Sequence, residues 1–213
     1  MPVGAAALAV VLALVLGTGL TTVVVRRSPG AEPAAVATTP AAPDTPDSVR
    51  AALEERVLAP PKPTERLPDA QNGLGLLSAE GVLALAGGSE QDRASAARGL
   101  ELLGFREALG RAWSTGDRVY VVLVYRFAAP EGANGLVQGL RTRLPGPAFR
   151  SRTVPSAVAY TGRSDRFFEQ HGSFARGRYV YEVTLLTPAQ DRRHARFDAL
   201  LERQSTRAAR LDP

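Results

Sequence analysis

RVYVVLVYRF, residues 118–127, decides the fold. Its β-branched and aromatic side chains fit a pleated surface, and it contains no glycine, proline or acid. At period two, Val119, Val121, Leu123, Tyr125 and Phe127 line one face and Tyr120, Val122 and Val124 the other. With both faces mostly apolar, the stretch reads as a central strand. Just upstream, Phe105, Leu109 and Trp113 fit a helix at i, i+4, i+8, and equally one face of a strand. Thr115-Gly116-Asp117 is a turn signal. An antiparallel partner across a short turn is the nearest neighbour such a strand can find, so Phe105–Ser114 reads as the first arm of a hairpin.

Working outward, Pro130 and Glu131 open a helix carrying Leu136, Val137, Leu140 and Leu144 on one face. Its Gly132, Gly135 and Gly139 each weaken it by roughly 1 kcal/mol relative to alanine, for which close packing on the sheet would compensate. Short strands follow at Phe149–Val154 and Ala157–Thr161. A second hairpin pairs Arg166–Phe174 with Arg178–Leu186 around Arg176-Gly177. Thr187-Pro188-Ala189-Gln190 has the composition of a helix start, with Phe197, Leu200 and Leu201 anchoring the last helix. Upstream, Asp47 or Ser48 caps a short helix reaching about Leu58, and Pro60, Pro61, Pro63 and Pro68 interrupt regular structure. Ser78 and Ser89 head two further helices, ended by Gly87-Gly88 and Gly104. The expected class is α+β, an antiparallel sheet with helices packed on it.

Val3–Val25 is 23 residues without a charge, and as a helix at ~1.5 Å per residue it covers a ~30 Å hydrocarbon core. It is longer than the apolar part of a cleavable signal peptide, lacks basic residues before it, and ends without an A-x-A site, so a retained single-pass anchor is expected and cleavage is the rival. The segment after it, with AEPAAVATTPAAPDTP at its centre, has too few large apolar side chains to collapse and reads as a disordered linker. The domains are therefore 1–27 as transmembrane anchor, 28–68 as linker with a short helix near 48–58, and 69–213 as a soluble α+β domain. Orientation is contested within the chain itself. Arg26-Arg27 favour a cytoplasmic domain by the positive-inside rule, whereas the spacer favours an extracytoplasmic one at the cell envelope. The extracytoplasmic side is the expectation; a cytoplasm-facing basic domain docking an anionic partner is the alternative.

The net charge is +5, and Lys62 is the only lysine. Arginine keeps its charge and forks to phosphates and carboxylates, so an acidic envelope polymer, a lipid head group or an acidic protein is the expected kind of partner, with nucleic acid disfavoured. Compositional bias toward alanine, glycine, proline and arginine is the plainer source of the charge. Without cysteine there is no disulfide, thiolate metal site or lipid-bearing cysteine.

The helix ending at Gly104-Phe105, the strand closing on Trp113, the VYRF strand end, the alanine- and glycine-rich helix and FARGRYVYEV occur here together. In this combination the chain resembles actinobacterial membrane- or lipid-anchored extracytoplasmic α+β domains, of the LpqN type with a Mog1/PsbP-like fold, over roughly Gly73–Asp212. It departs from those lipoproteins in having a helix in place of the lipid. The resemblance implies an accessory or binding role and transfers no catalytic residue.

No catalytic constellation stands out, and neither cofactor nor metal site is expected. Asp191, His194 and Asp198 lie within ~60° on a continuous helix, yet helix electrostatics and the apolar stripe account for them. Gly172-Ser173-Phe174-Ala175 lacks the second glycine of a nucleophile elbow. A hydrolase would need His171 or His194 beside a nucleophile in a cleft. The one constellation of interest is basic. Arg141, Arg143, Arg150, Arg152, Arg163 and Arg166 fall in one short stretch, the pairs 141/143 and 150/152 flanking Pro145-Gly146-Pro147, and are expected either to converge as an anion-binding patch or to form a solvated rim. Arg192, Arg196, Arg203 and Arg207 mark one face of the last helix, read as solvated.

Overall fold

The computed structural model describes residues 45–60, 65–66, 74–86, 89–142, 149–154, 156–163 and 167–212. The expected anchor Val3–Val25 and most of the linker lie outside the described residues. Within them, no helix is long and apolar enough to cross a membrane.

The hairpin around RVYVVLVYRF forms as expected. β3 (Phe105–Thr115) pairs with β4 (Arg118–Phe127) from Thr115↔Arg118 to Phe105↔Phe127, with one irregularity between Phe105 and Glu107. Gly116 begins the two-residue turn at φ 62°, a left-handed conformation that costs glycine little. β5 (Phe149–Val154) and β6 (Ala157–Arg163) form the next pair. β7 (Phe167–Arg176) and β8 (Tyr179–Pro188) form the last hairpin. Two short strands, β1 (Glu65–Arg66) and β2 (Leu76–Leu77), border β3 at Trp113–Ser114 and at Ala108–Leu109. The order is β1-β3-β4-β8-β7-β6-β5, antiparallel throughout, so β4 and β8 are interior and, among the described residues, β5 is an edge.

Helices cover both faces. α1 (Pro46–Arg56), with Val57 just after it, and α5 (Ala195–Leu211) pack through Leu53, Val57, Phe197 and Leu201 on Trp113, Val122, Val124, Tyr181 and Leu185. α2 (Ala79–Ala86), α3 (Glu90–Leu102) and α4 (Pro130–Thr142) pack through Val82, Leu100, Ala133 and Leu136 on Ala108, Val121, Leu123, Tyr125 and Phe127. The period-two division of β4 is thus the division between two helical layers.

Three starts follow their capping chemistry. Ser89 and Asp92 form a reciprocal box at the head of α3, and Gly81 N–H donates to Ser78 Oγ in the first turn of α2. At α1 the cap is Thr45 and not Asp47 or Ser48, which lie inside the first turn: the Thr45 hydroxyl accepts from Ser48 N–H, and Pro46, free of the need to donate, takes the first helical position. Thr187-Pro188-Ala189-Gln190 does not start a helix. Thr187 and Pro188 extend β8 opposite Phe168 and Phe167, and the Thr187 hydroxyl donates to the Asp191 carbonyl at 2.6 Å. Asp191 N–H closes a turn onto the Pro188 carbonyl, and α5 begins only at Ala195. A strand ladder with a full set of partners outweighs a local capping signal.

α1 is held by named contacts. Gln204 of α5, fully buried, accepts from Leu58 N–H (3.1 Å) and donates to the Arg56 carbonyl (2.8 Å). The Arg56 guanidinium donates to Asp212 at 2.9 Å and lies 4.1 Å from the Tyr179 ring centroid.

The glycines of α4 differ in their surroundings. A Cβ on Gly132 would stand 1.9 Å from the Leu103 carbonyl oxygen, and one on Gly135 would stand 2.7 Å from the Leu103 side chain. Gly139 faces open space. The close approach is chiefly to Leu103 at the end of α3, with Phe127 of β4 3.2 Å from the same Gly132 position, and it involves two of the three glycines. Gly132→Ala is expected to destabilise by about 1–3 kcal/mol through overpacking, and Gly139→Ala to stabilise by about 0.4–1 kcal/mol. Urea midpoints should move in opposite directions; movement in the same direction would contradict this account of α4.

Candidate functional site

At the β5–β6 end of the sheet, under the α5 side, the structure forms a cleft of about 460 Å³. The sheet supplies Arg152, Thr153, Val154, Ser156, Ala157 and Phe174; α5 supplies Asp198, Leu201, Glu202, Ser205 and Thr206. Alternation along β5 puts Arg152 on the α5 side, where both of its terminal nitrogens donate to Asp198 at 2.5 and 2.6 Å. Ser156, at the tight turn between β5 and β6, holds φ 60°, an uncommon conformation for a non-glycine residue, at the cleft's lip. The floor is apolar, from Phe174 and Leu201. The walls carry one guanidinium, two carboxylates and several hydroxyls.

The six arginines singled out in the sequence are distributed as follows. Arg150 and Arg152 share one face of β5, and the β5–β6 register puts Arg163 on the same face, diagonal to Arg150. Arg150 and Arg163 are exposed, and among the described residues neither has an acidic partner. Arg141 is exposed on α4, which packs against the opposite face of the sheet. Arg143 and Arg166 lie outside the described residues. A second trough, about 520 Å³, runs between α1 and α5 along Glu55, Leu58, Arg203, Arg207 and Arg210. There Arg207 Nε donates to the Glu55 carbonyl at 2.6 Å. Arg192 precedes α5, and Arg196 is exposed on it.

A different polar group lies beneath α4, and sequence reasoning did not assemble it. On that face of the sheet, Glu169, His171 and Ser173 of β7 stand beside Glu182 and Thr184 of β8, with Tyr125 of β4 and Tyr160 of β6 at the flanks. All of them are buried. Tyr125 donates to Glu182 Oε2 at 2.8 Å. His171 Nδ1 is 3.1 Å from Thr184 Oγ1 and its Nε2 is 3.5 Å from Glu169 Oε2, while its ring stacks on Tyr160 at 4.7 Å. Among the described residues, Glu182 Oε1 and Ser173 Oγ have no hydrogen-bond partner. Burial pushes the Glu182 carboxyl up, offset in part by Tyr125 and His171. The Tyr125 and Tyr160 hydroxyls are likewise raised well above their usual range, chiefly by burial. Thr184, His171 and Glu169 stand in the order nucleophile, base, acid. His171 is nevertheless 0% exposed, and neither cleft is lined by a histidine.

His194 and the two aspartates do not gather. His194 Nδ1 lies 2.7 Å from Gln170 Oε1. Asp198 binds Arg152, and Asp191 binds Arg193 and Arg118 at 2.8 and 3.1 Å, which hold its carboxyl well below the usual range. Among the described residues there is no group of three histidine, aspartate or glutamate side chains placed to hold a metal.

No family model and no curated protein matches the chain. Among solved structures, the chain is similar to the extracellular domain of PknH from Mycobacterium tuberculosis. That likeness has a TM-score of 0.41 and 11% sequence identity, and it covers 55% of this chain and 70% of that one. No residue role is carried over from it.

The buried carboxyl makes stability depend on pH. Because the folded Glu182 pKa is raised, its contribution is fully present below the unfolded carboxyl range and is lost as pH rises through the folded value. Glu182→Gln keeps an acceptor for Tyr125 and removes the charge. It is expected to flatten the loss of stability between mildly acidic and neutral pH, and to be the more stable protein at pH 7. Urea melts across that range check this; parallel curves for the two proteins would refute it.

Proposed function

We propose that this chain is a membrane-anchored, extracytoplasmic binding module of the cell envelope, non-catalytic, whose ligand is anionic and is met at the β5–β6 edge. The observation that carries the reading is the position of Arg150 and Arg163, two exposed guanidinium groups without acidic partners among the described residues, beside an open cleft. An edge strand also offers backbone donors and acceptors to an extended ligand. The anchor and the side of the membrane rest on the sequence, on Val3–Val25 and on the spacer that follows. Arg26-Arg27 favour the second reading, in which the same basic domain faces the cytoplasm and docks an anionic partner there.

Binding of the full-length chain to anionic vesicles and to an acidic polymer tests the first reading. Raising salt from about 0.01 M to about 0.15 M shortens the screening length from ~30 Å to ~8 Å and should weaken binding. Arg150→Gln with Arg163→Gln should weaken it about tenfold or more at the lower salt. Affinity unchanged by the double replacement would remove the site. Protease added to intact cells separates the two orientations: cleavage of the domain supports the envelope side, protection the cytoplasmic one.

A further inference from the structure

We propose that the cleft between β5–β6 and α5 takes one uncharged sugar unit of an acidic glycan, while Arg150 and Arg163 meet the acid group of the next unit. This rests on the anion-binding reading above and names its ligand class.

The cleft itself does not suit an anion. Its one guanidinium, Arg152, is bound at both terminal nitrogens by Asp198, and Glu202 adds a second carboxylate to the wall. Two acids against one base repel a phosphate or carboxylate and attract O–H donors. The remaining wall is hydroxyl, from Ser205 and Thr206, and the floor is apolar. Planar ionised side chains that accept and donate several directed hydrogen bonds, set above an apolar floor, match a pyranose ring. The hydroxyls of such a ring point outward at its rim and its C–H groups form a face. A volume of about 460 Å³ falls in the range of small-molecule sites and exceeds what one sugar unit needs, leaving room for the chain to continue.

That continuation meets positive charge in one direction. Arg150 lies two residues along β5 from Arg152, about 6.6 Å away and on the same face. Arg163 is diagonal to Arg150 on β6, farther still from the turn end where the cleft opens. The surface is therefore graded from a net-negative cleft at the turn to a net-positive edge about one sugar unit away. Such a gradient discriminates. A uniformly charged polyanion meets repulsion at the cleft, and a neutral glycan leaves the two arginines without a partner. Alternation of neutral and acidic units satisfies both ends.

The experiment titrates three probes into the full-length chain in detergent micelles: a hyaluronan tetrasaccharide, in which neutral and uronic acid units alternate, its carboxyl-reduced counterpart, and a linear polyphosphate of equal charge. The tetrasaccharide is expected to bind at least about tenfold more tightly than either other probe, and Arg150→Gln with Arg163→Gln to abolish its advantage over the reduced form. Thr206→Trp, at an exposed position on the rim, should obstruct the cleft and weaken the tetrasaccharide about tenfold or more; Ser205→Phe gives a second, deeper obstruction. If both obstructed variants keep wild-type affinity for the glycan, the cleft is not its site. Polyphosphate binding that equals or exceeds glycan binding and depends on Arg150 and Arg163 would overturn this inference while leaving the anion-binding reading standing. Failure of all three probes would overturn both.

Discussion

Everything in this fold follows from two adjacent strands that have no wet face. β4 from Val121 to Phe127 and β8 from Tyr179 to Thr187 are buried without interruption. A strand alternates its side chains between two faces, so uninterrupted burial requires a covering layer on each. The side chains concerned contribute roughly 1.5–3 kcal/mol apiece when withdrawn from water, which makes loss of either layer costly. One layer comes from α2, α3 and α4. The other needs both ends of the described chain, α1 from before the sheet and α5 from after it. That second layer is held by polar contacts that fit only one arrangement. Gln204 satisfies the backbone where α1 ends, and Arg56 reaches both Asp212 and the face of Tyr179.

The polar groups inside follow a different logic from those at the edge. Beneath α4 two carboxyls, an imidazole and hydroxyls from four strands are enclosed together, and the Glu182 carboxyl responds by resisting ionisation. Such a group confers register and specificity more readily than net stability, because ions leave water at a high cost. At the β5 edge the burial alternates instead of being continuous, and arginines and hydroxyls are half-buried or exposed. The same two-residue period that encloses His171 on one face of β7 turns Arg152 toward the cleft on β5. What a polar side chain can do here depends on how far its strand lies from the centre of the sheet.

Much of this arrangement is legible in the residues. RVYVVLVYRF predicts its own two faces, because β-branched and aromatic side chains leave a strand little freedom to be anything else, and the turns at Gly116 and Gly177 stand where glycine permits a positive φ. The last helix was legible in its apolar positions and not in its start. Thr187 can cap or pair, and only the presence of Phe168 across the ladder decides between them. The cleft was half legible. Arg150 and Arg152 alternate visibly, but the partner that compensates Arg152 is Asp198, far along the chain and on a helix whose placement no local pattern states. The enclosed cluster had a signal that was available: in FFEQHGSFAR, Glu169, His171 and Ser173 recur at period two. Its meaning depends on Glu182 and Thr184 of the neighbouring strand, which requires the register of the hairpin.

Position in the sheet decides which elements meet at the β5 edge. α1 packs against β3 and α5, whereas Arg150 lies on β5, five strand positions from β3, and Arg163 on the neighbouring β6. At about 4.8 Å per strand this sets β3 and β5 about 24 Å apart, more than two Debye lengths at physiological salt. The cleft reaches back across part of that distance through α5, because Glu202 and Thr206 line both it and the trough that Glu55 and Leu58 border. α5, which lines the cleft with one flank and packs beside α1 with the other, connects the two ends mechanically. It ties the cleft wall to α1 because the same helix carries Gln204, whose side chain accepts from Leu58 N–H and donates to the Arg56 carbonyl.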